Sequence, residues 1–288
     1  MNANFSDRWM DNTPSIYKLR IDELILPGTH DSGSDKQASK MMLPNEITQD
    51  VPVRDQIMRG FRVLDLRVEL FPGQPIGHPR RFQLYHLTAS GRTVADDVLG
   101  ALNAFYADPG RQNEIIILNF HQFKNFTEAS HEELHALIDQ TIGNRLIPHS
   151  QSYLTLEQLR QQMPGKSVVI SYNRRSGDGY WPGVEQQWIG ENYISTSTLK
   201  VFMDEASSKP KRPYALRAIQ CAKYTGLYVP DDFSDKVDLW FASKDSESYI
   251  QRFHIINTDW STRSNIVFNC MHANQYRAQE KERRLNGE

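Results

Sequence analysis

The chain has 288 residues, 39% of them hydrophobic and 24% charged, with a net charge of −2. That balance suits a soluble globular protein and argues against a broad basic footprint for nucleic acid. No run of about 18 apolar residues occurs, which excludes a membrane-spanning helix.

The first apolar run, 24–28, breaks at Pro27-Gly28 and delivers Thr29-His30-Asp31. The next, 62–70, carries Asp65 and Arg67 two residues apart, so a strand places both on one face. Residues 81–86 read as a strand ending in His86. From Thr93 to Ala107 the apolar residues Val94, Val98, Leu99, Leu102 and Phe105 recur at helical spacing, and Asp108-Pro109-Gly110 stops the helix. The run 114–120 leads into His121. A helix is predicted from Glu128 to Ile142 with Gly143-Asn144 as its exit, and a shorter one over 155–159 ended by Pro164-Gly165. Residues 167–172 are the fifth predicted strand, followed by a polar, Gly-rich and aromatic loop from Arg174 to Gly183. A solvated loop is expected over 204–213, then strands at 215–221 and 254–259, the latter ending in Asp259. Ser264 is positioned to cap a last helix bearing Val267, Met271 and Ala273, which fades into a charged tail at about 276–288.

Alternating β runs and helical patterns, with no linker or repeat, predict one α/β domain over 1–288 with a mostly parallel sheet. In such a sheet the downstream strand ends form one rim, where barrel enzymes place their chemistry. His30 and His86 are candidates for general base and general acid, since imidazole titrates near neutrality. Asp31, Asp65 and Asp259 are the carboxylates available to orient them. Arg67 either pairs with Asp65 or meets an anion, and the two are compatible: Asp65 can orient a guanidinium whose fork matches phosphate oxygens. His121 either faces a substrate or caps its strand. The remaining histidines, 78, 131, 135, 149, 254 and 272, read as structural or exposed.

A metal site would draw on Asp31, Asp65 and Glu69, but Arg67 among them repels a dication; no metal and no cofactor is expected. Met41, Met42 and Leu43, and Trp181 in its Gly-bounded turn, are either interfacial groups or ordinary core. Cys221 and Cys270 either pair, if the protein is exported, or stay as buried thiols.

The stretches Leu26-Pro27-Gly28-Thr29-His30-Asp31-Ser32 and Leu64-Asp65-Leu66-Arg67-Val68 resemble the X domain of phosphatidylinositol-specific phospholipase C, nearest its bacterial, metal-independent branch. The resemblance continues through Tyr85-His86, 114–121, 216–220 and 256–259. It implies a single distorted TIM-type (β/α) barrel that cleaves phosphatidylinositol to diacylglycerol and a 1,2-cyclic inositol phosphate. In that scheme His30, oriented by Asp259, is the base; His86, assisted by Asp31, is the acid; Arg67, held by Asp65, clamps the phosphate. His121, Tyr172, Gln220 and Tyr224 fall where relatives contact the headgroup, and Met41, Met42 and Leu43 where relatives carry a membrane-touching helix. A secreted monomer that visits membrane surfaces is the expectation by family analogy, although the polar N-terminus does not read as a signal peptide. Departures include Leu87, where the family often has Gly, and His121, often Lys or Glu. A diesterase with another headgroup and a catalytically silent headgroup-binding module are the competing readings.

Overall fold

The computed structural model describes residues 6–174 and 179–287. Among the described residues ten strands are interspersed with seven α-helices. The strands are β1 (Leu26–Thr29), β2 (Val63–Leu70), β3 (Phe82–Tyr85), β4 (Ala89–Thr93), β5 (Ile116–Lys124), β6 (Val168–Tyr172), β7 (Trp181–Pro182), β8 (Glu185–Gln187), β9 (Arg217–Cys221) and β10 (Ile255–Thr258). Eight of them pair in parallel in the order β7-β6-β5-β2-β1-β10-β9-β8. The two edge strands, β7 and β8, are consecutive in the chain and joined only by Gly183-Val184, so the sheet curls until its edges lie side by side without a ladder between them. This is the distorted barrel that the family resemblance implies. At the seam a Cβ on Gly183 would sit 2.7 Å from the Asn173 Cβ, a contact only glycine escapes.

The helices are α1 (Val53–Met58), α2 (Ala101–Tyr106), α3 (Glu128–Ile142), α4 (Leu156–Gln162), α5 (Thr196–Ser208), α6 (Ser234–Trp240) and α7 (Ile266–Asn286). The predicted helix over 93–107 starts as a π-wound segment, Val94–Gly100, before continuing as α2. Thr127 caps α3 by accepting from the Ser130 amide, as its Thr-x-x-Ser spacing suggests.

Several expectations need correction. His86 does not end a parallel strand: β3 runs antiparallel to β2 and forms a hairpin with β4. Helix α5 absorbs residues 204–208, leaving a shorter loop. Ser264 does not cap α7; Asn265 holds that position, and the Asp238 carboxylate accepts from its amide at 2.5 Å. The charged tail continues α7 over its described residues. It is helical through Asn286, fastened where Arg277 donates to the Glu23 carbonyl at 2.7 Å and Lys281 pairs with Glu23 at 2.6 Å. The loop expected over 174–183 lies partly outside the described residues, and its Trp181 is not exposed: it is fully buried, its indole N–H donating to the Ile147 carbonyl at 2.8 Å. Cys221 and Cys270 are both buried and unbonded, and burial pushes both thiols up. Among the described residues no helix is long and apolar enough to cross a membrane.

Candidate active site

The barrel mouth opens into a cavity of about 570 Å³, within the range of small-molecule sites. Strand ends lie behind its wall. β1 stops at Thr29 and His30 follows; β10 stops at Thr258 and Asp259 follows. Both chains then turn sharply in the left-handed region, at Asp31 (φ 43°) and Trp260 (φ 47°). Trp260 is held there by its amide donating to the Thr48 carbonyl (2.8 Å) and its indole N–H to the Pro230 carbonyl (3.0 Å). Gln49 ties the two strand ends together, its Nε2 donating to the carbonyls of His30 (2.8 Å) and Thr258 (3.0 Å).

Within this frame His30 is buried, with Nδ1 2.7 Å from the Asp259 Oδ1. The carboxylate fixes the tautomer, because Nδ1–H must donate to it, and leaves the Nε2 lone pair directed at Arg67 and Gln220, two residues that line the cavity. Arg67 NH2 lies 2.8 Å and Gln220 Nε2 3.0 Å from that Nε2. Asp31 sits between the imidazoles: its Oδ2 is 3.4 Å from Nε2 of both His30 and His86, and its Oδ1 is 2.5 Å from Arg67 Nε. The His30 and His86 ring centroids are 6.4 Å apart, close enough to flank a single phosphorus.

The charges are interdependent. Burial works against a cationic His30, but Asp31 and then Asp259 outweigh it and raise its pKa to about 9. The Arg67 and Gln220 contacts require the neutral ring, so protonated His30 and Arg67-bound His30 are alternative states. Burial also opposes the Arg67 guanidinium, and Asp31 with Asp65 overcomes it, so Arg67 stays charged. Asp65 is held well below the usual carboxylate range: burial would raise it, but His121, whose Nε2 lies 2.6 Å from Asp65 Oδ1, prevails.

Two roles therefore shift. Arg67 pairs with Asp31 rather than with Asp65, whose direct partners are His121, Asn119 Nδ2 (3.3 Å) and the Asp31 amide (3.3 Å). Tyr172 does not reach the cavity: it faces outward from β6 onto α3, its hydroxyl 2.7 Å from His131 Nδ1. His121, Gln220 and Tyr224 do line the cavity. Met41 and Leu43 are exposed and Met42 is half-buried.

Sequence reading missed Asn45, Gln122, Gln186, Trp188, Asn192 and Tyr228 on the cavity wall. Gln122 arrives there through a β-bulge, because the β2–β5 register slips between Leu66 and Arg67, pairing Leu66 with Phe120 and Arg67 with Gln122. The extra residue, His121, breaks strict alternation, so His121 and Gln122 both face inward. No local sequence signal announces that slip.

Ligand atoms of His30, Asp31 and Asp65 lie within 4.8 Å of one another, a spacing a metal ion could use. The Arg67 guanidinium already holds the cationic place in that cluster, 2.5 Å from Asp31, so a dication would meet a fixed positive charge.

A barrel whose mouth carries two imidazoles, an orienting carboxylate and a guanidinium has the layout of an acid–base phosphodiester site. The chain is 25% identical over 255 residues to a human PI-PLC X domain-containing protein 1, covering 78% of this chain and 72% of that one. Its fold matches a phosphatidylinositol-specific phospholipase C from Staphylococcus aureus (a mutant; TM-score 0.68, 14% identity, 94% of this chain and 99% of that one). It also matches the phosphatidylinositol-specific phospholipase C from Listeria monocytogenes (TM-score 0.66, 16% identity, 93% and 98%). No family model matches the chain. In sequence the chain is similar to the PI-PLC X domain-containing proteins, and its fold is that of the bacterial phosphatidylinositol-specific phospholipases C.

Proposed function

We propose that the chain cleaves phosphatidylinositol without a metal, giving diacylglycerol and a 1,2-cyclic inositol phosphate. The observation that carries this reading is the convergence of His30, His86 and Arg67 around Asp31, with His86 and Arg67 on the cavity wall and His30 and Asp31 buried behind them. The inositol 2-hydroxyl takes the place of Arg67 and Gln220 on His30 Nε2 and gives up its proton there. The 2-oxygen bonds to phosphorus as the bond to the glycerol oxygen breaks, and His86 delivers a proton to that oxygen. His30 leaves the step as imidazolium, stabilised by Asp259. Arg67, released from the imidazole, turns its fork to the phosphate as negative charge builds. Acid–base groups of this kind each contribute about 10²- to 10⁴-fold.

The substrate is a lipid, and the mouth suits a lipid surface. Leu87, Trp188 and Tyr228 line the cavity and are exposed, Tyr193 packs on Tyr228, and Met41 (94% exposed) and Leu227 (85%) stand nearby in sequence. Such a ring of exposed apolar and aromatic groups fits the bilayer interface.

The test is phosphorus NMR of phosphatidylinositol vesicles with enzyme and chelator. The cyclic phosphate should appear, and His30→Ala or His86→Ala should abolish it while the fold persists by circular dichroism. Product formed only after calcium is added would refute the mechanism. Vesicle binding with no turnover over hours would favour the silent module, and cleavage confined to a diester lacking a hydroxyl beside the phosphate would favour another headgroup.

A further inference from the structure

Away from the barrel mouth, on the outer face of β9, lies a second cleft of about 210 Å³ between the end of α5, the 209–211 segment, residues 251–253 and α7. Five cations line it, Lys209, Lys211, Arg217, Arg252 and Arg277, and no carboxylate does. Two of the five have acidic partners behind them, and those partners are shared. Lys211 reaches Asp22 at 3.2 Å, which Arg20 also holds at 2.9 Å; Arg217 reaches Glu185 at 3.0 Å, which Arg212 also holds. Arg277 donates to the carbonyls of Glu23 (2.7 Å), Gln251 and Phe253 (3.3 Å) and to the Gln251 side chain (3.2 Å), with no carboxylate in contact. Burial holds its guanidinium down to about 10, the mark of a buried charge whose countercharge is incomplete. Arg252 lies over the Tyr249 ring at 5.6 Å.

With Gln187 and Gln251, the cleft is also lined by His254, 4% exposed. Its Nδ1–H donates to the Leu24 carbonyl at 2.5 Å, so Nε2 carries the lone pair, and that buried nitrogen has no hydrogen-bond partner. Burial pushes the imidazole down to about 3, so it stays a neutral acceptor at any working pH. Excess positive charge asks for an anion, whereas a bare acceptor asks for a hydroxyl donor. A phosphate monoester, or phosphate itself, brings both in one small group, and the cleft is smaller than a drug-sized site.

We infer that this cleft binds a phosphomonoester, its oxygens on the Lys209, Arg252 and Arg277 charges and a hydroxyl hydrogen on His254 Nε2. The site is independent of the reaction proposed at the barrel mouth. The probes are inorganic phosphate and inositol 1-phosphate, titrated calorimetrically into the full chain. The comparison is with Lys209→Gln/Arg252→Gln, which removes two charges from the cleft and none from the catalytic wall. Arg67→Gln identifies any phosphate binding at the barrel mouth. A binding step that survives Arg67→Gln and weakens at least tenfold in the double variant, with phosphatidylinositol turnover unchanged, is the expected result. Vesicles of phosphatidylcholine with phosphatidic acid or with phosphatidylglycerol distinguish a lipid source. Capture by phosphatidic acid alone, lost in the double variant, assigns the site to a lipid phosphomonoester. Equal capture by both lipids, or binding of the soluble probes that is undetectable at 10-millimolar order or indifferent to the double variant, overturns the proposal.

Discussion

The buried imidazole of His30 is held on Nδ1 by Asp259 and approached on Nε2 by Arg67 and Gln220. Its pKa of about 9 sets the sign of the pH dependence. As a base it must be neutral, so kcat/KM should rise with pH until His30 deprotonates near that value, and Asp259→Asn should move this limb to lower pH by removing a carboxylate that favours imidazolium. A limb that stays in place in the variant would show that another group is titrating. Stability runs the other way. A pKa raised from 6.5 means the charged ring stabilises the fold fully below pH 6.5, and that contribution is lost as pH climbs through about 9. Arg67→Lys keeps the charge but not the fork that spans Asp31 and His30, so kcat should fall about 10²- to 10³-fold with a smaller change in KM. Steady-state kinetics on vesicles would check it, and an unchanged kcat would remove Arg67 from the transition state.

Two elements carry the weight of positioning. β1 passes so close to β10 that a Cβ on Gly28 would lie 2.0 Å from the Asn257 side-chain oxygen, so Gly28→Ala should force the strands apart and misplace His30 against Asp259. Loss of turnover together with a lowered denaturation midpoint is the expected pair of effects, and a variant of native stability and activity would show that the strands yield freely. At the upstream end of the barrel, Arg62 and Glu114 form a fully buried pair at 2.6 Å. Arg62 also donates to the carbonyls of Ile57, Phe61 and Asp7, and Glu114 accepts from the amides of Met10 and Asp11. The pair thus stitches the N-terminal segment under β2 and β5. Glu114→Ala leaves a buried guanidinium without its countercharge and should cost about 3–5 kcal/mol in urea unfolding; a cost below about 1 kcal/mol would mean that water or another acid replaces it.

Across the whole molecule, a parallel sheet that curls on itself gathers the catalytic candidates at one end and leaves the basic cleft on its outer wall. If the mouth meets the bilayer, Met41→Ser with Leu227→Ser should weaken vesicle binding about tenfold or more, since burying one such side chain is worth about 1.5–3 kcal/mol. Turnover of a short-chain, monomeric substrate should be untouched. Equal losses on both substrates would place these residues in the fold rather than at the interface.

The His30-Asp31 and Asp65-x-Arg67 motifs, the long β2 and β5 runs, α3 with its exit at Gly143, and the α/β class with a mostly parallel sheet were legible because each rests on a local pattern: an apolar run, a period, a helix stop, a pair of residues sharing a strand face; the barrel itself came from the family resemblance. Those patterns say which residues are apolar or chargeable, not which distant partner each will meet. Trp181 and Tyr172 looked available because an aromatic side chain in a Gly-bounded turn or at a strand end has no intrinsic side; packing against Ile147, α3 and the barrel wall put both inside. The exchange of Asp65 for Asp31 beside Arg67, and the turning of Gln122 into the cavity, were likewise decided by tertiary structure. Both depend on the bulge at His121 and the left-handed turn at Asp31, which exist only once neighbouring strands are paired and their ends drawn together.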